Sequence, residues 1–298
     1  MRYEIVHVTE YAYGEAVPLC HNVARLRPRE TDRQTCVRHE LGVSPTPTVF
    51  RERVDFFGNP VTSFSVQNLH LALSVTARSE VDVQPPSAPS GLFPMTWEEA
   101  VRILATGRDP EVRLARQFVF ESPRIRQDPA LADYATPSFP AGRLLSAALL
   151  DLTQRISADF RFQKGCTSVG TSVQEVFQSR QGVCQDFAHL QIACLRMMGI
   201  PARYVSGYIV TEPPPGQRRQ IGTDASHAWV SAFIPGIGWL DLDPTQGRGA
   251  EEDHITVAWA RDYADVAPLK GILLGGRQQS LYVSVDVVPL SDGDVSAT

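Results

Sequence analysis

Three short segments hold residue types whose spacing suits nucleophilic chemistry. The first reads Gly182-Val183-Cys184-Gln185-Asp186-Phe187-Ala188-His189. A glycine precedes a cysteine in the first turn of an amphipathic stretch, in which Phe187, Leu190, Cys194 and Met197 recur at helical spacing. At a helix start, unpaired backbone N–H groups and the positive dipole end favour thiolate over thiol. The same N–H groups suit an oxyanion developing on a carbonyl that the sulfur attacks. Asp186 opposes this slightly, because a nearby carboxylate raises a thiol pKa. The plainer role for such a cysteine is a small buried hydrophobe, and that role is expected of Cys194.

The second segment is Ser226-His227-Ala228-Trp229. Alternation places His227, Trp229, Ser231 and Phe233 on one strand face, and Ala228, Val230, Ala232 and Ile234 on the other. The third is Trp239-Leu240-Asp241-Leu242-Asp243-Pro244-Thr245, with both aspartates opposite Leu240 and Leu242. The turn 235–238 between them predicts a hairpin that brings His227 near an aspartate. Period alone leaves Asp241 and Asp243 both open, and an aspartate ahead of Pro-Thr is also a good turn former. Taken in order, Cys, His and Asp supply a nucleophile, a base and an orienting acid.

The elements that must carry these residues are a helix followed by strands. The spacing predicts helices starting at the Thr96–Glu99 capping box, over 141–157, and over 183–198, the last closed by Gly199 and Pro201. Beyond it the period drops to two at 204–210, 228–234 and 239–243, with a last strand over 281–287. Residues 1–84 show short β patterns separated by turn residues, and the run 85–91 reads as a linker. The expected organisation is therefore an N-terminal β-sandwich, 1–84, and an α+β domain, 85–298.

Of the 298 residues 43% are hydrophobic and 20% charged, and the net charge is −5, which suits a soluble globular protein and gives nucleic-acid or polybasic membrane binding no support. Of the 28 basic residues only Lys164 and Lys270 are lysines. The five cysteines are scattered with no Cys-x-x-Cys pair, so neither a disulfide framework nor a zinc knuckle is indicated. The N-terminus lacks the apolar core of a signal peptide, and a reducing cytoplasmic setting is expected. No P-loop or calcium loop is present, and no cofactor or metal is expected. A zinc site from Cys184, His189 and His227 is the alternative, although His189 stands five residues from Cys184, poorly placed to share a ligand position along a helix. Arg218 and Arg219, beside the loop 213–217, are candidates for flanking the cleft, with a solvated loop the plainer reading.

Four segments in this order resemble the bacterial transglutaminase-like superfamily: 182–189, Gly199-Ile200-Pro201-Ala202-Arg203-Tyr204-Val205-Ser206-Gly207-Tyr208, 226–229 and 238–245. Arg25–Arg29 and Asp55–Asn59 likewise resemble the β module that precedes this core in many bacterial members. The resemblance implies a papain-like α+β core, with Cys184 as nucleophile, His227 as general base and acid, and Asp243 orienting the imidazole; Asp241 is the second choice. It implies thiol-dependent acyl transfer on a peptide or protein amide, by hydrolysis or by transfer to an amine, with hydrolysis preferred. A non-catalytic peptide-binding scaffold is the remaining alternative. Relatives often carry an aromatic hydroxyl near Phe162, and its absence here leaves a further oxyanion donor unassigned. Gln178 is a candidate donor, with an exposed helix position the plainer reading, and Cys166 is expected to be incidental.

Overall fold

The computed structural model describes residues 1–86, 94–210 and 226–290. Most of the proline-rich run after Pro86, and the loop bearing Arg218 and Arg219, lie outside the described residues. The N-terminal alternation builds β1 (Arg2–Val17), β2 (Leu19–Ala24), β3 (Gln34–Ser44), β4 (Val49–Val54), β5 (Pro60–Val66) and β6 (His70–Val83). β1, β6 and β3 adjoin in one antiparallel sheet, and β2, β5 and β4 in another. Val17, Leu73 and Val75 from the first sheet close on Cys20, Phe64 and Val66 from the second. Two sheets with one shared apolar layer are a sandwich.

The helical region contains α1 (Trp97–Thr106), α2 (Pro110–Ala115), α3 (Pro129–Ala135), α4 (Leu145–Asp159), α5 (Val173–Ser179) and α6 (Cys184–Met197). α1 opens on the expected capping box between Thr96 and Glu99. α4 starts later than its periodicity suggests, because Gly142 turns at φ 76° and Leu144 stays extended to bridge Thr96. Two short parallel strands, β7 (Arg161–Phe162) and β8 (Gln181–Gly182), lead into α6. α6 is buried almost all round, by Leu149 and Leu152 of α4, Val173 and Val176 of α5, and the sheet beyond it.

That sheet runs β12 (Arg248–Gly249), β11 (Gly238–Asp243), β10 (Ser226–Ile234), β9 (Ala202–Ile209) and β13 (His254–Ala260), with antiparallel pairing throughout. Ala228, Val230, Ala232 and Ile234 join the apolar core under α6, so Trp229, Ser231 and Phe233 take the opposite face. β13 is an edge strand, and the sandwich covers it. Gln34 Nε2 donates to Thr256 O at 2.7 Å, and its Oε1 accepts the Thr256 N–H at 2.8 Å. Asn59 does the same for Trp259, at 3.0 and 2.9 Å. Two side-chain amides thus stand in for a neighbouring strand.

After the short helix α7 (Tyr263–Val266) come β14 (Leu269–Leu274) and β15 (Gln279–Leu290). The linear division assigns them to the catalytic part. Instead β14 pairs with β2 and β15 with β1, each extending one sheet of the sandwich. The cause is apolar: Val285 and Val287 bury beside Tyr3, Ile5, Val81 and Val83. No helix among the described residues is long and apolar enough to cross a membrane.

Candidate active site

Cys184 is the first residue of α6 and is partly exposed. Gly182 makes the approach possible, since a Cβ there would meet Asp186 Cβ at 2.9 Å and Phe187 Cε1 at 3.1 Å. Asp186 caps the helix from within: its Oδ2 accepts the Val183 N–H at 2.9 Å and the Thr167 hydroxyl at 2.7 Å. Burial raises its pKa, and those two hydrogen bonds hold against the rise. The carboxylate is thus directed at the helix start. The backbone N–H groups of Cys184 and Gln185 have no acceptor among the described residues and are the donors available to an oxyanion.

His227 lies at the start of β10, and its Nε2 is 2.7 Å from Asp243 Oδ2. The Cys184 sulfur lies near enough to the imidazole to help raise its proton affinity. With Nε2 held by the carboxylate, Nδ1 is the nitrogen left to exchange a proton with sulfur. Periodicity alone left two aspartates open and the resemblance preferred Asp243; hairpin register separates them. Ser231 faces Asp241 and Val230 faces Leu242, so Asp243 lies one step further toward His227. Asp243 also fulfils its alternative role as a turn former: its Oδ1 accepts from Thr245 N at 2.8 Å and Gln246 N at 3.3 Å. One oxygen fixes the turn while the other faces histidine.

A residue outside the predicted set completes the arrangement. His254, at the start of β13, places Nε2 3.1 Å from the same Asp243 Oδ2, and its Nδ1 lies 2.7 Å from Asp253 Oδ1. Asp243 is fully buried and answers two imidazoles. Burial alone would raise the Asp243 pKa, but the two histidines carry it well below the ordinary carboxylate range. Burial would lower His227, yet Asp243 and Cys184 push it up to about 10. His254 is raised as well, by Asp243 and Asp253 against its own burial.

The sign of the pH dependence follows. A histidine raised in the folded state contributes stability that is complete below the free-imidazole pKa of about 6.5. That contribution is lost as pH rises through about 10. Thermal melts from neutral pH upward are expected to show a decline in Tm attributable to His227, and the decline should be absent from His227→Phe.

His227, Asp243 and His254 are also the described cluster whose ligand-type atoms come within 4.8 Å of one another. Their separations of 2.7 and 3.1 Å are those of direct hydrogen bonds. Ligands at about 2.0–2.1 Å around a tetrahedral metal stand further apart than this, so the set as arranged suits proton sharing. The alternative zinc set does not assemble around His189. That side chain is buried, its Nε2 accepts the Tyr263 N–H at 3.1 Å, and burial lowers it to about 4. Cys194 is fully buried, and burial pushes its thiol up to about 12. Cys166 is exposed and donates to Gln163 O at 3.0 Å. Gln178 is exposed on α5, and Phe162 packs edge-on to Phe187.

A thiol at the N-terminus of a buried helix, against a histidine and an aspartate on adjacent strands, is the arrangement the resemblance implies, and this chain belongs to the transglutaminase-like superfamily. Residues 140–244 match that superfamily, and residues 3–82 match the bacterial transglutaminase-like N-terminal region. Uncharacterized proteins of Mycobacterium bovis and Mycobacterium tuberculosis are 42% identical over 303 residues, covering 98% of this chain and 94% of theirs. A protein-glutamine gamma-glutamyltransferase of Pseudomonas aeruginosa is 30% identical over 186 residues, which span 61% of this chain but 27% of that protein. Among solved structures, a candidate cysteine protease from Cytophaga hutchinsonii shares the fold, with TM-score 0.76 at 22% identity over 100% of this chain and 92% of that one.

Proposed function

We propose that the protein is a cysteine-dependent acyl-transfer enzyme that hydrolyses a peptide or amide bond through a thioester on Cys184. The observation that carries this reading is the shared carboxylate of Asp243, which holds His227 beside the Cys184 sulfur. The thiolate attacks the amide carbonyl, and the N–H groups at the start of α6 take up the negative charge on oxygen. Protonated His227 gives its proton to the leaving amine, the C–N bond breaks, and the acyl group remains on sulfur. Neutral His227 then takes a proton from water as it attacks the thioester, and the carboxylic acid leaves. Partial exposure of Cys184 leaves the thioester open to water.

Transfer to an amine is the second reading, favoured by the named activity of the Pseudomonas relative. It uses the same residues and differs only in what reaches the thioester. Trapping the acyl-enzyme with a library of glutamine-containing peptides, then offering water alone or water with a primary amine, separates the two. Hydrolysis is expected to dominate, with mass spectrometry finding the acid; amide product in excess at modest amine concentration would reverse the assignment. In the same protein a low dose of iodoacetamide at neutral pH is expected to label Cys184 well ahead of the exposed Cys166. Equal labelling would remove the activated thiol and the mechanism with it.

A further inference from the structure

On the face of the sheet away from α6 lies a cavity of about 1250 Å³, between the core and the sandwich. Its walls include Arg29, Arg33, Arg203, Trp239, Trp259 and His254. Among the described residues it does not include Cys184 or His227. Arg203 is 9% exposed, and its guanidinium is stacked between Trp239 at 4.1 Å and Trp259 at 3.7 Å. Both faces of the cation are therefore covered by rings, which leaves its N–H edge. That edge has no hydrogen-bond acceptor or ion-pair contact among the described residues, Asp241 acting on it only at longer range, and Nε is sealed from solvent. Arg29 sits over the same Trp259 at 3.6 Å with its Nε equally unpartnered, although its Nη1 is tied to Phe57 O and Asn59 Oδ1.

A second buried arginine shows what the fold does when an arginine serves structure alone. Arg196 donates from Nε to Phe118 O, from Nη1 to Ser122 Oγ, and from Nη2 to Ala202 O and Arg261 O. Arg203 has nothing comparable. A buried cation with an unused donor edge is costly unless an anion arrives to meet it. The cavity also constrains the rest of the ligand. The exposed Glu30, Asp32, Glu111 and Glu251 line it too, so a polyanion would be repelled from its outer parts. A ligand with one carboxylate and one ammonium satisfies both ends, and the volume is too large for a single amino acid to fill.

We propose that this cavity is an accessory binding site for a short zwitterionic peptide, whose carboxylate pairs with the N–H edge of Arg203 while its ammonium faces the acidic rim. The site is distinct from the thiol and touches it only through His254, which shares Asp243 with His227.

Trp239 and Trp259 flank the proposed contact, so tryptophan fluorescence of the full chain reads occupancy directly. Titration is made with glycylglycine, glycylglycinamide, N-acetylglycylglycine and inorganic phosphate. Glycylglycine is expected to saturate the signal, the amide to bind at least about tenfold more weakly, and the acetylated probe to fall between them. Arg203→Gln, checked by its melt, is expected to lower glycylglycine affinity by a similar factor. The site assignment is overturned if glycylglycine gives no saturable change, if the amide binds as well, or if phosphate binds in preference. Should Arg203→Gln not fold, the four-probe comparison on the unaltered protein still decides. Because none of these readouts uses turnover, their failure is separable from failure of the Cys184 mechanism.

Discussion

Cys184→Ala is expected to eliminate thioester formation and to lower turnover by about four to six orders of magnitude, the range seen when a covalent nucleophile is removed. The protein should otherwise be unharmed. Cys184 is partly exposed, and the N-cap interactions of α6 come from Asp186 and Thr167, so its removal opens no cavity and breaks no cap. Cys184→Ser should retain the fold and show little activity, because a hydroxyl is far less acidic than a thiol and the raised His227 spends neutral pH protonated. The check is acyl-enzyme mass together with steady-state rate on the same amide. An alanine variant with more than a trace of activity would move the nucleophile elsewhere, and with it the role of His227.

Asp243→Ala is expected to be nearly as damaging, for two reasons that separate in the measurement. With Oδ2 gone, His227 keeps its ring but loses the group that fixes its orientation and tautomer, and a fall in kcat/KM of about three to four orders of magnitude is expected. The proton affinity of His227 should fall as well, bringing the alkaline limb of the pH–rate profile down from about 10 toward neutrality. A merely destabilised protein would lose amplitude without moving that limb. His254→Gln is the informative contrast. It leaves Asp243 bonded to His227 but removes the other imidazole from Oδ2, so the rate is expected to drop by about tenfold, with a smaller displacement of the limb. Stability will also fall in Asp243→Ala, by about 3–5 kcal/mol, because two buried imidazoles lose their common counter-charge. A full-rate Asp243→Ala enzyme would return Asp241 to consideration. Asp241 faces Ser231 and the Arg203 cavity, so its replacement should instead register there.

The thiol, the imidazole and the aspartate were legible because each stands inside a local pattern. A glycine and an amphipathic run mark the start of α6, a two-residue period marks β10 and β11, and the 235–238 turn joins them. Periodicity alone could not choose between Asp241 and Asp243; the resemblance preferred Asp243, and the physical reason is register, which depends on where the hairpin closes: Ile234 faces Gly238. His254 left no comparable signal. It belongs to β13, which pairs with β9 rather than with its sequence neighbour β12, so its approach to Asp243 comes from topology. Arg203 was equally silent. Its two tryptophans stand on β11 and β13, and only the assembled sheet brings them to either side of one guanidinium. The Asp55–Asn59 turn shows the intermediate case. Its sequence carried the likeness to the bacterial β module, but the job of Asn59 in completing the edge of β13 requires both modules to be present.

The return of β14 and β15 to the sandwich changes what counts as a unit of this protein. Both ends of the core are anchored in one module, so the helix-and-sheet core is an excursion from a β-sandwich that opens after β6 and closes at β14. A cut at the proline-rich run cannot release two intact halves. The N-terminal piece would expose the edges of β1 and β2, and the C-terminal piece would carry two strands with no sheet to join. In folding terms the pairing of β1 with β15 closes almost the longest loop the chain can form, and its entropy must be met before the core gains anything from it. The candidate site is therefore held as a ring is held, by a clasp, and the clasp lies in the module that carries none of Cys184, His227 and Asp243.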